Sequence, residues 1–204
     1  MTQPEPGTTV PDGPAHDRLR DDIELKVELR GQSLRMHSTW GLFSPREIDS
    51  GTRLLLDHVE VADDANCLDL GCGYGALGLT LARLAPNGRT LLVDKDFVAV
   101  EYARANAERN HIANAEVALS NGFSHIALER RFDLIASNIP ARAGNEMLTI
   151  MIADAAAHLV PGGRLYVVGL TGMRRFVQRV MQQHFGNYDK LKQGPDYTVA
   201  VSVR

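Results

Sequence analysis

The sequence predicts an α/β fold built around a mostly parallel sheet. Two observations carry this expectation. From residue 65 onward, short apolar runs alternate with helical stretches of about 10–15 residues, the pattern of parallel strands joined by right-handed helical crossovers. At the exit of the first run stands a glycine cluster, Gly71, Gly73 and Gly75, leaving a strand and entering a helix.

Residues 1–17, MTQPEPGTTVPDGPAHD, are Pro/Gly-rich without an apolar segment, which predicts a disordered leader and excludes a signal peptide. The folded domain is expected to span 18–204. Ile23, Leu25, Val27 and Leu29 alternate with the strand period, and Gly31-Gln32 gives a turn into QSLRMHS, so residues 22–38 read as a β-hairpin. Leu54, Leu55, Leu56 and Val59 suggest a helix packed on the body.

ANCLDL is then a buried strand, and ALGLTLARLA a helix closed by Pro86-Asn87-Gly88. RTLLVD is a second strand, followed by a helix from Phe97 to about Asn110 that Asp96 is placed to cap. AEVALS is a third strand, and RFDLIASN a fourth ending in Ile139-Pro140. EMLTIMIADAAAHLV reads as a helix stopped by Pro161-Gly162-Gly163, RLYVVGL as a fifth strand and MRRFVQRVMQQHF as a final helix. Two strand-like runs around Gly194-Pro195-Asp196 end the chain, a hairpin that departs from a purely parallel plan.

The composition bounds the function. A chain of 204 residues, 44% apolar and 23% charged, fits one globular domain with a sizeable core. Its net charge of −3 gives no global nucleic-acid signature, so RNA binding would need a local basic patch. No apolar run approaches the roughly 20 residues that span a bilayer. Cys67 and Cys72 make no disulfide framework and no zinc pattern, and the seven histidines lack metal-ligand spacing. The expectation is a reduced, cytoplasmic protein without metal or membrane, monomeric or homodimeric. Cys67 reads as core.

The glycine loop, Leu68-Asp69-Leu70-Gly71-Cys72-Gly73-Tyr74-Gly75, lets the backbone pass close to a ligand, and the helix start adds free N–H donors and a positive dipole end. Two ligands compete for it. Gly73 to Gly78 satisfies GxGxxG, and Asp94 ends the next strand where a ribose-binding acid of a dinucleotide site belongs. Asp69 argues the other way: an acid there repels a pyrophosphate but favours S-adenosylmethionine (SAM), whose ammonium and sulfonium are cationic. Asp94 can accept from both ribose hydroxyls, or be a solvated loop acid. Asn121-Gly122, after the third strand, suits an adenine contact or a simple turn.

DLGCGYG, VDKD, SNG and SNIP, in this order and at these strand ends, resemble motifs of class I SAM-dependent methyltransferases. GLFSPREIDSGTRLLL is similar to the segment before the glycine loop in the small-domain methyltransferases, which include ribosomal RNA guanine-N2 methyltransferases. SNIPARAG resembles that family's Asn-Pro-Pro motif. The resemblance covers roughly residues 22–204. It implies a Rossmann-like, seven-stranded, mostly parallel sheet with helices on both faces and an antiparallel C-terminal strand, beside the N-terminal hairpin. It implies SAM as cofactor, S-adenosylhomocysteine as product, and Asp69, Gly71, Cys72, Gly73, Gly75, Asp94, Lys95, Asn121, Gly122 and Thr52 around it. Phe43 and Arg142 are expected on the substrate side, and Asp49 near the pocket. The competing reading of Phe43, Asp49 and Thr52 is a loop and helix start, with Ser50 or Thr52 merely capping.

In this reading Asn138, Ile139 and Pro140 carry the chemistry. An exocyclic amine on a base is a poor nucleophile, and hydrogen bonds to the Asn138 oxygen and the Ile139 carbonyl would aim its lone pair. Pro140 biases Ile139 toward an extended backbone, and positioning dominates over acid–base catalysis. The sequence departs from the family motif twice: Ile139 replaces its first proline, and Ala141 replaces a base-stacking aromatic, leaving Phe43, Trp40 or Phe123 to stack. Arg46, Arg53, Arg142, Arg174 and Arg175 are candidates for phosphate contacts, or else solvated surface. The expected activity is N-methylation of an RNA base, with ribosomal guanine N2 favoured. The alternatives are a methyltransferase for a metabolite or a protein side-chain amide, and a non-catalytic SAM-binding scaffold.

Overall fold

The computed structural model describes residues 22–140 and 143–204; the expected leader, Ala141 and Arg142 lie outside them. The chain runs β1 (Ile23–Leu29), β2 (Gln32–Ser38), α1 (Ser50–His58), β3 (Cys67–Leu70), α2 (Ala76–Leu84), β4 (Thr90–Asp94), α3 (Phe97–Arg109) and β5 (Ala115–Leu119). It continues through β6 (Phe132–Asn138), α4 (Asn145–His158), β7 (Leu159–Leu170), a 3-10 turn, α5 (Arg174–Phe185), β8 (Asp189–Gln193) and β9 (Tyr197–Val203). β1 and β2 form a separate antiparallel hairpin. The other seven strands form one sheet in the order β5-β4-β3-β6-β7-β9-β8, with β9 antiparallel between β7 and β8. This is the Rossmann-like architecture with an antiparallel last strand.

Strand alternation divides the core in two. Cys67, Leu92, Leu134, Ala136, Tyr166 and Val168 point to one face, where they pack with α1, α2 and the hairpin. Leu68, Leu91, Ile135, Leu165 and Val167 point to the other, against α4 and α5. Every strand between β4 and β7 is therefore covered on both sides, which is why these segments read as nearly continuous apolar runs.

The strand order reverses beside β3. From there the chain moves outward to β4 and β5, then returns to β6 on the opposite flank. Connections leaving β3 and β6 at their C-terminal ends therefore diverge and open a crevice.

Three local expectations are corrected. The hairpin turn is Arg30-Gly31, one residue earlier than expected, with φ of 53° and 74°; positive φ at both central residues matches the right-handed twist of the strands. Pro161-Gly162-Gly163 does not follow the helix end directly but lies inside β7. Pro161 disfavours helix at the residue before it, so α4 stops at His158 and Leu159 is already extended. Gly162, at φ +82°, carries the strand through an irregularity in which its N–H donates to the Arg204 carbonyl at 2.8 Å. Finally, α1 is capped by Asp49, whose carboxylate accepts the Thr52 N–H at 3.1 Å, rather than by Ser50 or Thr52. Asp96 caps α3 as expected.

Candidate active site

Asp69 stands on β3 beneath the start of α2. Gly78 permits the approach: a Cβ there would lie 2.4 Å from Leu92 Cγ and 2.9 Å from Asp69 Cβ. The helix therefore packs close enough for the Gly78 N–H to donate to Asp69 Oδ2 at 2.7 Å. The carboxyl is 1% exposed, and its other oxygen, Oδ1, has no hydrogen-bond partner among the described residues. Burial pushes its pKa up to about 7; the Gly78 N–H works against the rise and the charge of Asp94 adds to it. Such an oxygen suits a cationic ligand group, which would pair it and draw the pKa back down.

The loop beyond β3 turns on Gly71 (φ +83°) and Gly73 (φ +54°), where an added Cβ would meet open space. The N–H groups of Gly71 and Cys72 both donate to the Val93 carbonyl at 2.9 Å, and the Gly73 N–H donates to Asp94 Oδ2 at 2.9 Å. Asp94 Oδ1 accepts the Asp96 N–H, also at 2.9 Å. The Asp94 carboxylate is thus braced by the backbone while still facing the crevice. Gly75 starts α2 at φ +97° behind the loop, against Leu79 and Ala103, and does not line the crevice.

On the opposite flank, Asn138 ends β6. Its Nδ2 donates to Asp49 Oδ2 at 2.8 Å and to Thr52 Oγ1 at 3.0 Å, so the start of α1 lies directly against it. The preceding loop carries Phe43, 65% exposed, at the crevice rim. Tyr74 fastens this loop to the glycine loop, its hydroxyl meeting the Ser44 and Glu47 carbonyls at 3.1 and 3.2 Å.

One cleft of about 580 Å³ joins these parts, within the usual range for a small-molecule site. Asp69, Gly71, Cys72, Gly73, Asp94, Lys95, Asn121 and Gly122 line it, and so do Phe43, Asp49, Thr52, Asn138, Ile139 and Pro140. Asp49, Asp69 and Asp94 outnumber Lys95 among its charged lining residues. Sequence reasoning missed Met147 and Met151 on α4, which lie in ordinary helix pattern, and Tyr197 on β9, which lies far from every motif.

Several expected contacts fall elsewhere. Phe123 is buried, with its ring stacked on His158 at 4.9 Å, so it cannot stack on a base. Trp40 lies outside the cleft lining, under the Arg46 guanidinium at 4.3 Å from its ring centre. Arg53 reaches the Glu28 carbonyl of the hairpin, and Arg174 pairs with Gln193 on β8. Cys67 is fully buried core.

A switch-point cleft carrying an unpaired acid above a glycine loop defines a class of α/β protein built to hold a small ligand at its strand ends. This chain belongs to the methyltransferase small domain family, whose sequence model matches residues 33–201. The protein YbxB of Bacillus subtilis is 36% identical over 141 residues, covering 69% of this chain and 70% of that protein. Ribosomal RNA small subunit methyltransferase C of Haemophilus influenzae is 34% identical over 172 residues, covering 82% of this chain and 51% of that one. In structure, the T. thermophilus 16S rRNA N2 methyltransferase RsmC, in complex with AdoMet and guanosine, superposes with a TM-score of 0.81 at 26% identity, over 90% of this chain and 50% of that one. The chain thus spans about half the length of these ribosomal RNA methyltransferases. Among the described residues, no helix is long and apolar enough to cross a membrane.

Proposed function

We propose that the unit spanning residues 18–204 is a SAM-dependent methyltransferase acting on an exocyclic amine of an RNA base, with guanine N2 of ribosomal RNA as the favoured acceptor. The observation that carries this reading is that one cleft is lined both by Asp69, whose buried Oδ1 has no partner among the described residues, and by Asn138, whose amide is anchored. The first fits a cation, and the second offers an oxygen to an N–H donor. A ribosomal acceptor implies a cytoplasmic reaction.

In this reading Gly71, Cys72 and Gly73 give a backbone surface without side-chain obstruction, and Asp69 Oδ1 pairs a cationic group of SAM. Asp94 accepts from the ribose hydroxyls while its brace from Gly73 and Asp96 holds it still. Lys95 and Thr52 border the same ligand, and Asn121-Gly122 meets the adenine edge. Bound SAM supplies an electrophilic methyl group with a good leaving group. The chain's own residues then have to place the amine in line with it. Asn138 Oδ1 and the Ile139 carbonyl accept the amine's two N–H groups. Ile139 is held for this by its N–H, which donates to the Val168 carbonyl at 2.8 Å. With Ala141 at the motif's aromatic position and Phe123 buried, Phe43 is the residue at the rim that stacks on the base.

Methyl transfer from tritiated SAM into separated ribosomal subunits, tRNA, total protein and metabolites tests this reading, with Asn138→Ala as control. Label in ribosomal RNA that falls sharply in Asn138→Ala supports it. Label confined to protein or metabolites keeps the cofactor and overturns the acceptor. SAM binding without label in any fraction would leave a non-catalytic scaffold.

A further inference from the structure

The amide of Asn138 is held by groups that the proposed transfer does not itself use. Besides its contacts to Asp49 and Thr52, the Tyr197 hydroxyl donates to the remaining Asp49 oxygen, Oδ1, at 2.9 Å. A carboxylate only accepts, so the NH2 end of the Asn138 amide must face Asp49 and its carbonyl end must face away. Asp49 is itself fixed, because the same Oδ2 caps α1. Tyr197 reaches it because residue 51 is glycine: a Cβ there would lie 2.8 Å from Tyr197 Cε1 and 2.8 Å from Asp49 Oδ2. Three segments distant in sequence, the start of α1, the end of β6 and the start of β9, therefore converge on one amide.

We propose that Asp49 and Tyr197 are positioning residues that lock the Asn138 amide with only its carbonyl oxygen offered to the methyl acceptor. The lock restricts the acceptor to a group carrying an N–H. It rests on the methyltransferase reading above. An amide released from Asp49 samples both orientations, and the flipped one turns its NH2 toward the acceptor, where it opposes an amine and favours an oxygen acceptor. Asp49 adds to the selection by charge, since an anionic oxygen nucleophile beside it is disfavoured. The lock acts on the orientation of the acceptor, so its loss through Tyr197→Phe appears in turnover and leaves SAM affinity in place.

The test compares Tyr197→Phe and Asp49→Asn with the wild type, each alone and combined with Asn138→Ala. Methyl transfer to ribosomal RNA is read as kcat and KM, SAM affinity by calorimetry, and the Asn138 side-chain amide by heteronuclear NMR, its resonance assigned by its loss in Asn138→Ala. Tyr197→Phe is expected to lower kcat about tenfold, the size of one hydrogen bond to a charged group, with SAM affinity unchanged. It is also expected to shift the amide resonance. Combined with Asn138→Ala, Tyr197→Phe should cost nothing further, because it acts through that amide. Losses that multiply between Tyr197→Phe and Asn138→Ala, or an amide resonance unmoved in Tyr197→Phe, would overturn the lock. Should the wild type methylate no RNA, the acceptor reading fails by itself, and the amide resonance alone decides the lock.

Discussion

Asp69 combines full burial, one backbone hydrogen bond and one orphaned oxygen, and these set a pH dependence. Its carboxyl titrates near 7 in the folded protein against an ordinary 3.8. Between those values the folded state holds a proton that the unfolded state has released, so folding stability falls as pH rises from about 4 to 7 and stays lowered above that. Asp69→Asn keeps an acceptor for Gly78 and removes the charge. Its melting temperature should match the wild type near pH 4 and exceed it at pH 8, by a stability on the order of 3 kcal/mol; equal melting at both pH values would refute the assignment. Ligand binding runs the other way, because a cation needs the ionised form. The dissociation constant for SAM should be about tenfold weaker at pH 6 than at pH 8, as measured by calorimetry. At Asp94 the expectation is simpler: Asp94→Ala weakens SAM by about 1–3 kcal/mol, and an unchanged affinity would remove it from the site. Asp69 and Asp94 were legible in the sequence because each lies at the C-terminal end of a strand, Asp69 two residues before the glycine turn and Asp94 as the last residue of β4. Tyr197 was not, because its partner Asp49 lies on the far side of the chain, and no periodicity encodes such a meeting.

The strands and helices of the sheet were legible because their apolar periods are local. How the N-terminal hairpin docks was not. Among the described residues β2 pairs with β1 alone, and its other edge meets side chains of α3 and of Asn110, which caps its C-terminal end. Asn110 Oδ1 accepts the Arg35 N–H at 2.8 Å, and its Nδ2 donates to the Arg35 carbonyl at 2.8 Å. Asn106 repeats the pattern at His37, at 2.7 and 2.8 Å, and also donates to the Tyr74 carbonyl at 2.9 Å. Two amides four residues apart on a helix face thus imitate a third strand and satisfy an edge that would otherwise pair with another chain. Each reads in the sequence as an ordinary polar helix residue. Asn106→Ala leaves the His37 backbone unpaired and should destabilise folding by about 1–3 kcal/mol. Amide exchange at His37 should accelerate while the β6 amides stay protected. Uniform acceleration across the sheet would mean that the hairpin and sheet open together and would refute a local docking role.

At the scale of the whole molecule, the reversal of strand order beside β3 brings the glycine loop and the end of β6 to one cleft. The GxGxxG pattern alone left two ligands open. The assembled cleft separates them, because Asp49, Asp69 and Asp94 face it with Lys95 as the one cationic residue among the described lining. A dinucleotide would bring two phosphates toward three carboxylates, whereas SAM brings two cationic groups. Thermal unfolding reads this difference directly. A ligand at a hundredfold excess over its dissociation constant stabilises the folded state by about 2.7 kcal/mol. For a domain of this size that is roughly 5–11 °C in melting temperature. SAM and S-adenosylhomocysteine should each give such a shift, with the homocysteine product weaker at Asp69 for want of the sulfonium. NAD at the same concentration should give none. A shift with NAD as large as that with SAM would mean that the three carboxylates do not select the ligand, and the charge argument for the cofactor would fall with it.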